Sequence, residues 1–371
     1  MREGVMTERE WRKQSRHTPR RVPRCWGPQC MLPIIERTPH PYPKYRRYAA
    51  RLLVMMSMGI AVGFWLLINA PSAEYPIIPA LSESIVSLPM GRTVRANSAV
   101  SYRIPDLPLK PVIFSRSELL CGKMMRIDAE HPLPSDAPMP DPVCIATYGR
   151  GMVPVCDLTL KSGTQTIEAL EELFADARRK GVEGLTVWRA SMSEAEQREL
   201  QLERVRVHAA TMNLDEAVAK AREEVDDPNT SDFQQEYTVD IRLCTTPGSM
   251  ADNRPHRLTQ QGRYLLQNAW RYGFVRRYPY EDTNLFREYQ FRYVGVAHST
   301  TMTYLDLDIE SYLDLLHEKK AIQVNLNGTP RYVILCQPLM EEYVSVSLPD
   351  GCEYEASYDN MGYVIVACTL P

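Results

Sequence analysis

The stretch from Tyr272 to Leu316 constrains this chain more than any other. An apolar helical run ends at Gly273, and glycine closes helices because it takes the left-handed conformation without strain. Phe274-Val275-Arg276-Arg277-Tyr278-Pro279 then leads into a turn. Phe291-Arg292-Tyr293-Val294-Gly295-Val296-Ala297-His298 begins as a short aromatic strand, and Ile309-Glu310-Ser311-Tyr312-Leu313 opens a second helix. Aromatic and basic residues alternate there in a way that generic core packing does not require.

Charge is divided unevenly around this stretch. Residues 1–51 hold 13 Lys and Arg against 4 Glu, a net of +9, so the overall −3 leaves −12 for the remainder. A basic head on an acidic body argues against nucleic acid as the partner of the folded part. It suits an N-terminus held in the cytoplasm. Leu52 to Ala73 carries no charge and matches the ~20 apolar residues with which a helix crosses a bilayer. Tyr45, Tyr48 and Trp65 suit its interfaces, and Lys44, Arg46, Arg47 and Arg51 fix its orientation. A cleavable signal peptide is the rival, but it needs a short basic region and a small-residue cleavage site. Here 51 residues precede the apolar run, and Pro71 interrupts Ala70-Pro71-Ser72-Ala73.

The expected organisation is a basic, proline-rich cytoplasmic tail over residues 1–50 and a transmembrane anchor over 51–73. A linker over 74–110, a main domain over 111–319 outside the cytoplasm, and a small all-β module over 320–371 follow. At 44% hydrophobic and 24% charged, 371 residues can bury one sizeable core and a smaller second one. Of nine cysteines, Cys25 and Cys30 fall in the tail and seven lie beyond the anchor. None shows C-x-x-C spacing, which speaks against a zinc knuckle. Most of the seven are expected as buried small hydrophobes, with room for one or two disulfides.

Along the main domain, Ile167, Leu170, Phe174 and Ala177 predict a helix over 166–180, stopped by Gly181. Leu185 to Trp188 reads as a strand. Ser193-x-x-Glu196 and Asn213-x-x-Glu216 each open a helix, the second ending before Asp227. Tyr237 to Leu243 alternates so that Asp240 and Arg242 face away from the core side, and Leu258 to Tyr272 is a further helix. Beyond Lys320, Ile322 to Leu326, an Asn327-Gly328 turn, Arg331 to Cys336, Val344 to Val346 and Tyr363 to Val366 predict strands.

The segment around Phe291-Arg292-Tyr293-Val294-Gly295, with Tyr264-Leu265-Leu266-Gln267-Asn268-Ala269 and the His131-Pro132-Leu133 run, resembles the zinc D-alanyl-D-alanine carboxypeptidases of the VanY type. These share a fold with lysostaphin-like and hedgehog domains. The resemblance covers roughly 111–319. It implies an α+β domain, a small antiparallel sheet with flanking helices, and the ending Tyr354 to Val366 looks like the β-modules that follow such enzymes in some bacteria.

A zinc hydrolase needs three protein ligands, an open position for water and a base for that water. The family supplies a histidine and an aspartate from Ser-x-His-x-x-Gly-x-x-x-Asp, which falls on Ser231 to Asp240. Phe233 stands at the histidine and Glu236 at the glycine. The second motif, Glu-Pro-Trp-His, falls on Arg287-Glu288-Tyr289-Gln290. Gln290 therefore takes the second histidine position and Arg287 that of the base. An amide is a poor zinc ligand and a guanidinium has no lone pair to give. Glu288, one step off, points to the other side of an extended chain. The family's substrate-carboxylate arginine falls on Met192, and Arg189, three residues earlier, could reach a carboxylate instead. Only Asp240 keeps a ligand position, and His131 and His208 read as structural. A displaced metal site from His256 and His298 is the weaker alternative, since family members carry a non-ligand histidine at the His298 position.

The resemblance implies a membrane-anchored, extracytoplasmic, degenerate carboxypeptidase that needs no cofactor. It would bind peptidoglycan stem peptides or a cell-wall protein in a cleft formed by Arg189, Met192, Ser231, Phe233, Asp240, Tyr289, Gln290 and Arg292. Two alternatives stand beside it: an active D,D-carboxypeptidase using zinc through unusual ligands, and a purely structural partner of another membrane protein.

Overall fold

The computed structural model describes residues 99–104, 106–244, 254–279 and 287–371. All belong to the second of two units into which the chain divides, residues 82–371. The tail, the expected anchor Leu52–Ala73 and most of the expected linker lie outside the described residues. Among the described residues, no helix is long and apolar enough to cross a membrane.

The described chain opens with strands β1 (Val100–Ser101) and β2 (Leu109–Ser115) and a one-turn helix α1 (Arg116–Leu119). After a loop, β3 (Val143–Cys144), α2 (Ile145–Tyr148) and β4 (Lys161–Ser162) lead into α3 (Thr164–Arg179) and β5 (Leu185–Arg189). Helices α4 (Glu194–Ala209) and α5 (Leu214–Glu224) precede β6 (Thr238–Leu243) and α6 (Gln260–Asn268). Then come β7 (Phe274–Arg276), β8 (Gln290–Tyr293), α7 (Val296–Leu305) and α8 (Ile309–Lys319). Strands β9 (Ala321–Leu326), β10 (Thr329–Pro338), β11 (Tyr343–Pro349), β12 (Glu353–Tyr358) and β13 (Tyr363–Thr369) finish the chain.

Four strands form an antiparallel sheet in the order β5-β6-β8-β7. Alternation along each strand sends Val187, Val239, Ile241 and Phe291 to one face. There they meet the apolar stripe of α3, Ile167, Leu170, Leu173, Phe174 and Ala177, together with Leu265 of α6. The opposite face is left to Asp240, Arg242, Gln290 and Arg292, which is why the site is found there. Gly273 takes φ +83° after the 3-10 turn Ala269–Tyr272, and a Cβ at that position would meet Tyr293 Cε2 at 2.6 Å. The expected single helix over 258–272 is thus α6 flanked by two 3-10 turns, His256–Leu258 and Ala269–Tyr272. Ser193 and Asn213 cap α4 and α5 as their motifs indicated.

Helix α7 had no counterpart in the sequence reading. Its buried residues include Ser299, Thr300 and Thr301, so no apolar stripe betrays it. The hydroxyls are satisfied within the fold: Ser299 donates to the Trp270 carbonyl at 2.7 Å and Thr301 to that of Ala297 at 2.7 Å.

The β-rich region is larger than residues 320–371. A five-stranded sheet runs β1-β9-β10-β13-β12, and β11 pairs with β2 along seven positions, from Tyr343 opposite Ser115 to Pro349 opposite Leu109. Two strands therefore come from the segment expected as linker and domain start. One face of the five-stranded sheet, with Ile334, Cys336, Ile365 and Ala367, packs on Leu313 and Leu316 of α8 and Met302 of α7. Its other face, with Val333, Leu335, Val364, Val366 and Cys368, packs on Phe114, Val346 and Leu348 of the β2-β11 pair. A sheet covered on both sides explains the unbroken apolar runs Tyr332 to Cys336 and Tyr363 to Cys368. Of the seven described cysteines, all free thiols, only Cys336 and Cys368 are buried, fewer than expected.

Candidate functional site

The site is set by a register slip between β5 and β6. Thr186 pairs with Arg242 and Val187 with Ile241, but Arg189 rather than Trp188 stands opposite Asp240. Trp188 is the extra residue of a β-bulge, and bulges re-aim the side chains that follow them. Simple alternation would send Arg189 to the core side with Val187. The bulge brings it to the polar face instead.

There, Arg189 Nε donates to Asp240 Oδ2 at 2.7 Å. Asp240 is fully buried, and Arg242 Nη2 reaches the same oxygen at 3.3 Å. Asp240 Oδ1 is also buried and has no hydrogen-bond partner among the described residues. On the next strand Gln290 pairs directly with Asp240. Phe233 arrives from a 3-10 turn, Asp232–Gln234, and its own N–H donates to the Ser231 hydroxyl. The Arg189 guanidinium lies 5.3 Å from the centre of the buried Phe233 ring. The Met192 amide holds the Phe233 carbonyl at 2.7 Å, fixing that turn against the chain leaving β5. Arg189, Phe233, Asp240 and Gln290 are therefore brought together on the polar face of the sheet. The carboxylate that Arg189 reaches is the protein's own.

Three other expected cleft residues turn out to be internal supports. Ser231 is fully buried as the cap of the turn. Tyr289 is 1% exposed; its ring lies 4.9 Å from His256 and 4.5 Å from the Arg242 guanidinium, and its hydroxyl bonds to the Arg254 carbonyl. Arg292, also 1% exposed, donates to Asp232 Oδ1 at 2.5 Å and to the carbonyls of Lys123 and Met125 at 2.8 and 2.7 Å. Asp232 additionally accepts from Arg277 Nε, and Arg277 reaches Glu310 of α8 at 2.7 Å. This buried network stitches the loop after α1, the Asp232–Gln234 turn, β8 and α8 to one another. A sequence pattern does not separate such a brace from a ligand contact, because both place an arginine in an aromatic strand.

Arg287, at the base position, donates to Asp226 Oδ1 at 2.8 Å and lies over the Tyr278 ring at 4.6 Å. Burial pushes the Asp226 carboxyl above its ordinary range, with the Arg287 charge pulling it back. Glu288 faces elsewhere: its buried carboxylate accepts the His256 amide at 3.0 Å. His256 and His298 do not converge. His256 Nε2 meets the Ile241 carbonyl at 3.0 Å, whereas His298 Nδ1 meets the Tyr312 hydroxyl at 2.9 Å in a different core cluster. Burial lowers their pKa values to about 4 and about 3. His131 bonds Asp128 at 2.9 Å and His208 bonds Glu224 at 3.1 Å, both as local ties.

Two concavities, each of about 290 Å³, lie to either side of Cys121 and Tyr237. The first is lined by Lys123, Gln165, His298 and Glu355 among others, the second by Met139, Asp141 and Glu236. Arg189, Asp240 and Gln290 line neither.

The unit is thus an α+β fold, a four-stranded antiparallel sheet backed by helices on one face and carrying a buried aspartate on the other. Residues 160–296 match the family model described as VanY, D-alanyl-D-alanine carboxypeptidase. The chain is 36% identical over 110 residues to a D-alanyl-D-alanine carboxypeptidase of Enterococcus faecium, covering 29% of this chain and 36% of the relative. It is 29% identical over 149 residues to a D-alanyl-D-alanine carboxypeptidase of Enterococcus faecalis (strain ATCC 700802 / V583), covering 39% and 53%. The matches thus span about a third and about half of those relatives. Among solved structures, the vancomycin resistance D,D-dipeptidase VanXYg, in complex with a D-Ala-D-Ala phosphinate analog, is similar with TM-score 0.57 and 18% identity. That similarity covers 71% of this chain and all of that one, and concerns the fold.

Zinc is the metal that the family resemblance implies. The residues at the three positions that the resemblance gives to its ligands do not fit it: a phenyl ring, an amide and one carboxylate already bonded to a guanidinium. Among the described residues, no group of three or more His, Cys, Asp and Glu could hold a metal ion.

Proposed function

We propose that this chain is a membrane-anchored, extracytoplasmic, carboxypeptidase-like protein that binds peptidoglycan stem peptides, or scaffolds a cell-wall protein, without hydrolysis. The observation that carries the reading is the Arg189 guanidinium, bonded to Asp240 and placed against Phe233 where the family resemblance puts the metal. Arg287, at the position the resemblance gives to the base, is paired to Asp226, and a guanidinium is not a proton acceptor for water. What the chain retains is a VanY-type scaffold with a polar sheet face. The similarity to carboxypeptidases of two Enterococcus species supports a peptide of the cell wall as the partner.

The test uses the full chain in detergent or nanodiscs. Its zinc content should be far below one per chain, D-alanine release from a peptide ending in D-Ala-D-Ala should be at background, and wall fragments should retain it. Stoichiometric zinc with release of D-alanine would return the active alternative. Absence of both zinc and wall binding would leave a purely structural partner role.

A further inference from the structure

The four-stranded sheet lines up Arg189, Asp240 and Gln290 on three neighbouring strands, in register. Phe233 approaches the same spot from the turn before β6. Three of these four are the positions that the family resemblance gives to metal ligands, and the fourth is a permanent cation. We infer that the Arg189 guanidinium is the resident cation of the site, standing where a metal would stand and excluding one even from a restored ligand set. The inference rests on the same alignment of Phe233, Asp240 and Gln290 as the proposed function.

The physical case has three parts. First, Asp240 is fully buried, and a buried carboxylate must have a compensating positive charge to remain ionised. Arg189 supplies one at 2.7 Å, with Arg242 behind it at 3.3 Å. Second, the partner ring suits this cation. A guanidinium plane lies favourably near an aromatic face, so Phe233 is a good neighbour for arginine and a useless one for zinc. Third, the bulge at Trp188 has one visible consequence for this site, which is to bring Arg189 opposite Asp240. The ligand set, its neighbour and the strand geometry thus agree with one another around a guanidinium.

Restoring only the histidines should then fail to make a metal site. In Phe233→His/Gln290→His, zinc would have to evict a bonded guanidinium from a buried carboxylate and sit beside the displaced charge. In Arg189→Ala/Phe233→His/Gln290→His the carboxylate keeps only the longer Arg242 contact at 3.3 Å, and two imidazoles join it. Titration of each full-length variant with zinc alone should show the triple variant binding about 100-fold more tightly than the double or better, the scale of a broken buried ion pair. Arg189→Ala alone should gain no zinc affinity, since it adds no donor. A triple variant no tighter than the double, or a gain in Arg189→Ala alone, overturns the inference.

Should the multiple variants not fold, a thermal cycle in the native background decides the same point. Arg189→Met and Asp240→Asn should each lower the unfolding midpoint, and the combination should lower it by clearly less than the sum. Additive shifts overturn the pairing. Neither readout involves peptide capture, so failure here is separable from failure of the peptide-binding proposal.

Discussion

Arg189 Nε and Asp240 Oδ2 lie 2.7 Å apart across a strand pair whose register slips by one residue at Trp188. The pair is mostly hidden from solvent: the Asp240 side chain is fully buried and that of Arg189 is 15% exposed. Removing the guanidinium therefore leaves the carboxylate only the longer Arg242 contact, at 3.3 Å, in a medium that solvates it poorly. Arg189→Met should cost about 3–5 kcal/mol in urea unfolding. Arg189→Lys should recover only part of this, because an ammonium keeps the charge but loses the planar contact with Phe233. A lysine variant as stable as the parent would show that charge alone matters at this position.

The second buried ion cluster makes a different prediction. Asp232 stands between Arg277 and Arg292, all three at most 3% exposed. Asp232→Asn keeps the shape but leaves two guanidinium groups with one compensating carboxylate, Glu310, which bonds only Arg277. Unfolding free energy should fall by about 3–5 kcal/mol. Because Arg292 also holds the carbonyls of Lys123 and Met125, limited proteolysis should cut faster between residues 120 and 142. Loss of stability without faster cleavage there would mean that the loop is held by other contacts.

Much of this architecture could be read from residue patterns, and the exceptions share a cause. Helix α3, the capped helices α4 and α5, strand β6 and the glycine closure at Gly273 all follow from local periodicity and capping. Helix α7 does not, because three of its five buried residues are Ser or Thr, two of them with hydroxyls bonded to backbone carbonyls. Family spacing relates Phe233, Asp240 and Gln290 to one another, and nothing in it promises Arg189 beside them. The role of Arg189 was not legible, since a one-residue bulge reverses the face of every side chain after it and leaves no local signature in Val187-Trp188-Arg189. Tyr289 and Arg292 read as cleft residues in the sequence because aromatic and basic side chains suit ligands as well as they suit braces. Only their burial separates the two.

The strands that reach the C-terminal β-sheet unit from upstream give a paired test. Phe114 is 7% exposed among Val346, Leu348 and Val366, whereas its neighbour Ile113 points outward at 70% exposure. Phe114→Ala should cost about 3–5 kcal/mol, in line with other buried aromatic truncations. Ile113→Lys should change stability by less than about 0.5 kcal/mol. If both variants were neutral in chemical denaturation, the β2-β11 pair would not be part of the folded unit. A sensitive Ile113 would instead indicate that the outward face of β2 is covered in solution.

The last prediction concerns acid. His256 is buried against Tyr289 and Phe291, and its neutral ring places one nitrogen on the Ile241 carbonyl at 3.0 Å. Its other ring nitrogen, Nδ1, is buried without a hydrogen-bond partner among the described residues. Protonation there would bury a new charge, chiefly opposed by desolvation, with the nearby Arg276 and Arg242 charges adding to the cost. The folded pKa is about 4, below the ordinary histidine value near 6.5. Between these values the unfolded chain binds a proton that the folded chain refuses, so stability is full above about pH 6.5, falls as pH drops toward 4, and levels below it. The loss attributable to this residue is about 3 kcal/mol across that window. His298, whose folded pKa is about 3, adds a slope of the same sign that His256→Gln leaves in place. The measurement is therefore a difference: denaturation free energies of parent and His256→Gln at steps from pH 7 to pH 4. The parent should lose about 3 kcal/mol more than the variant. Parallel curves would mean that the imidazole accepts its proton as readily in the fold as outside it, and that the ring is not enclosed between Tyr289 and Ile241.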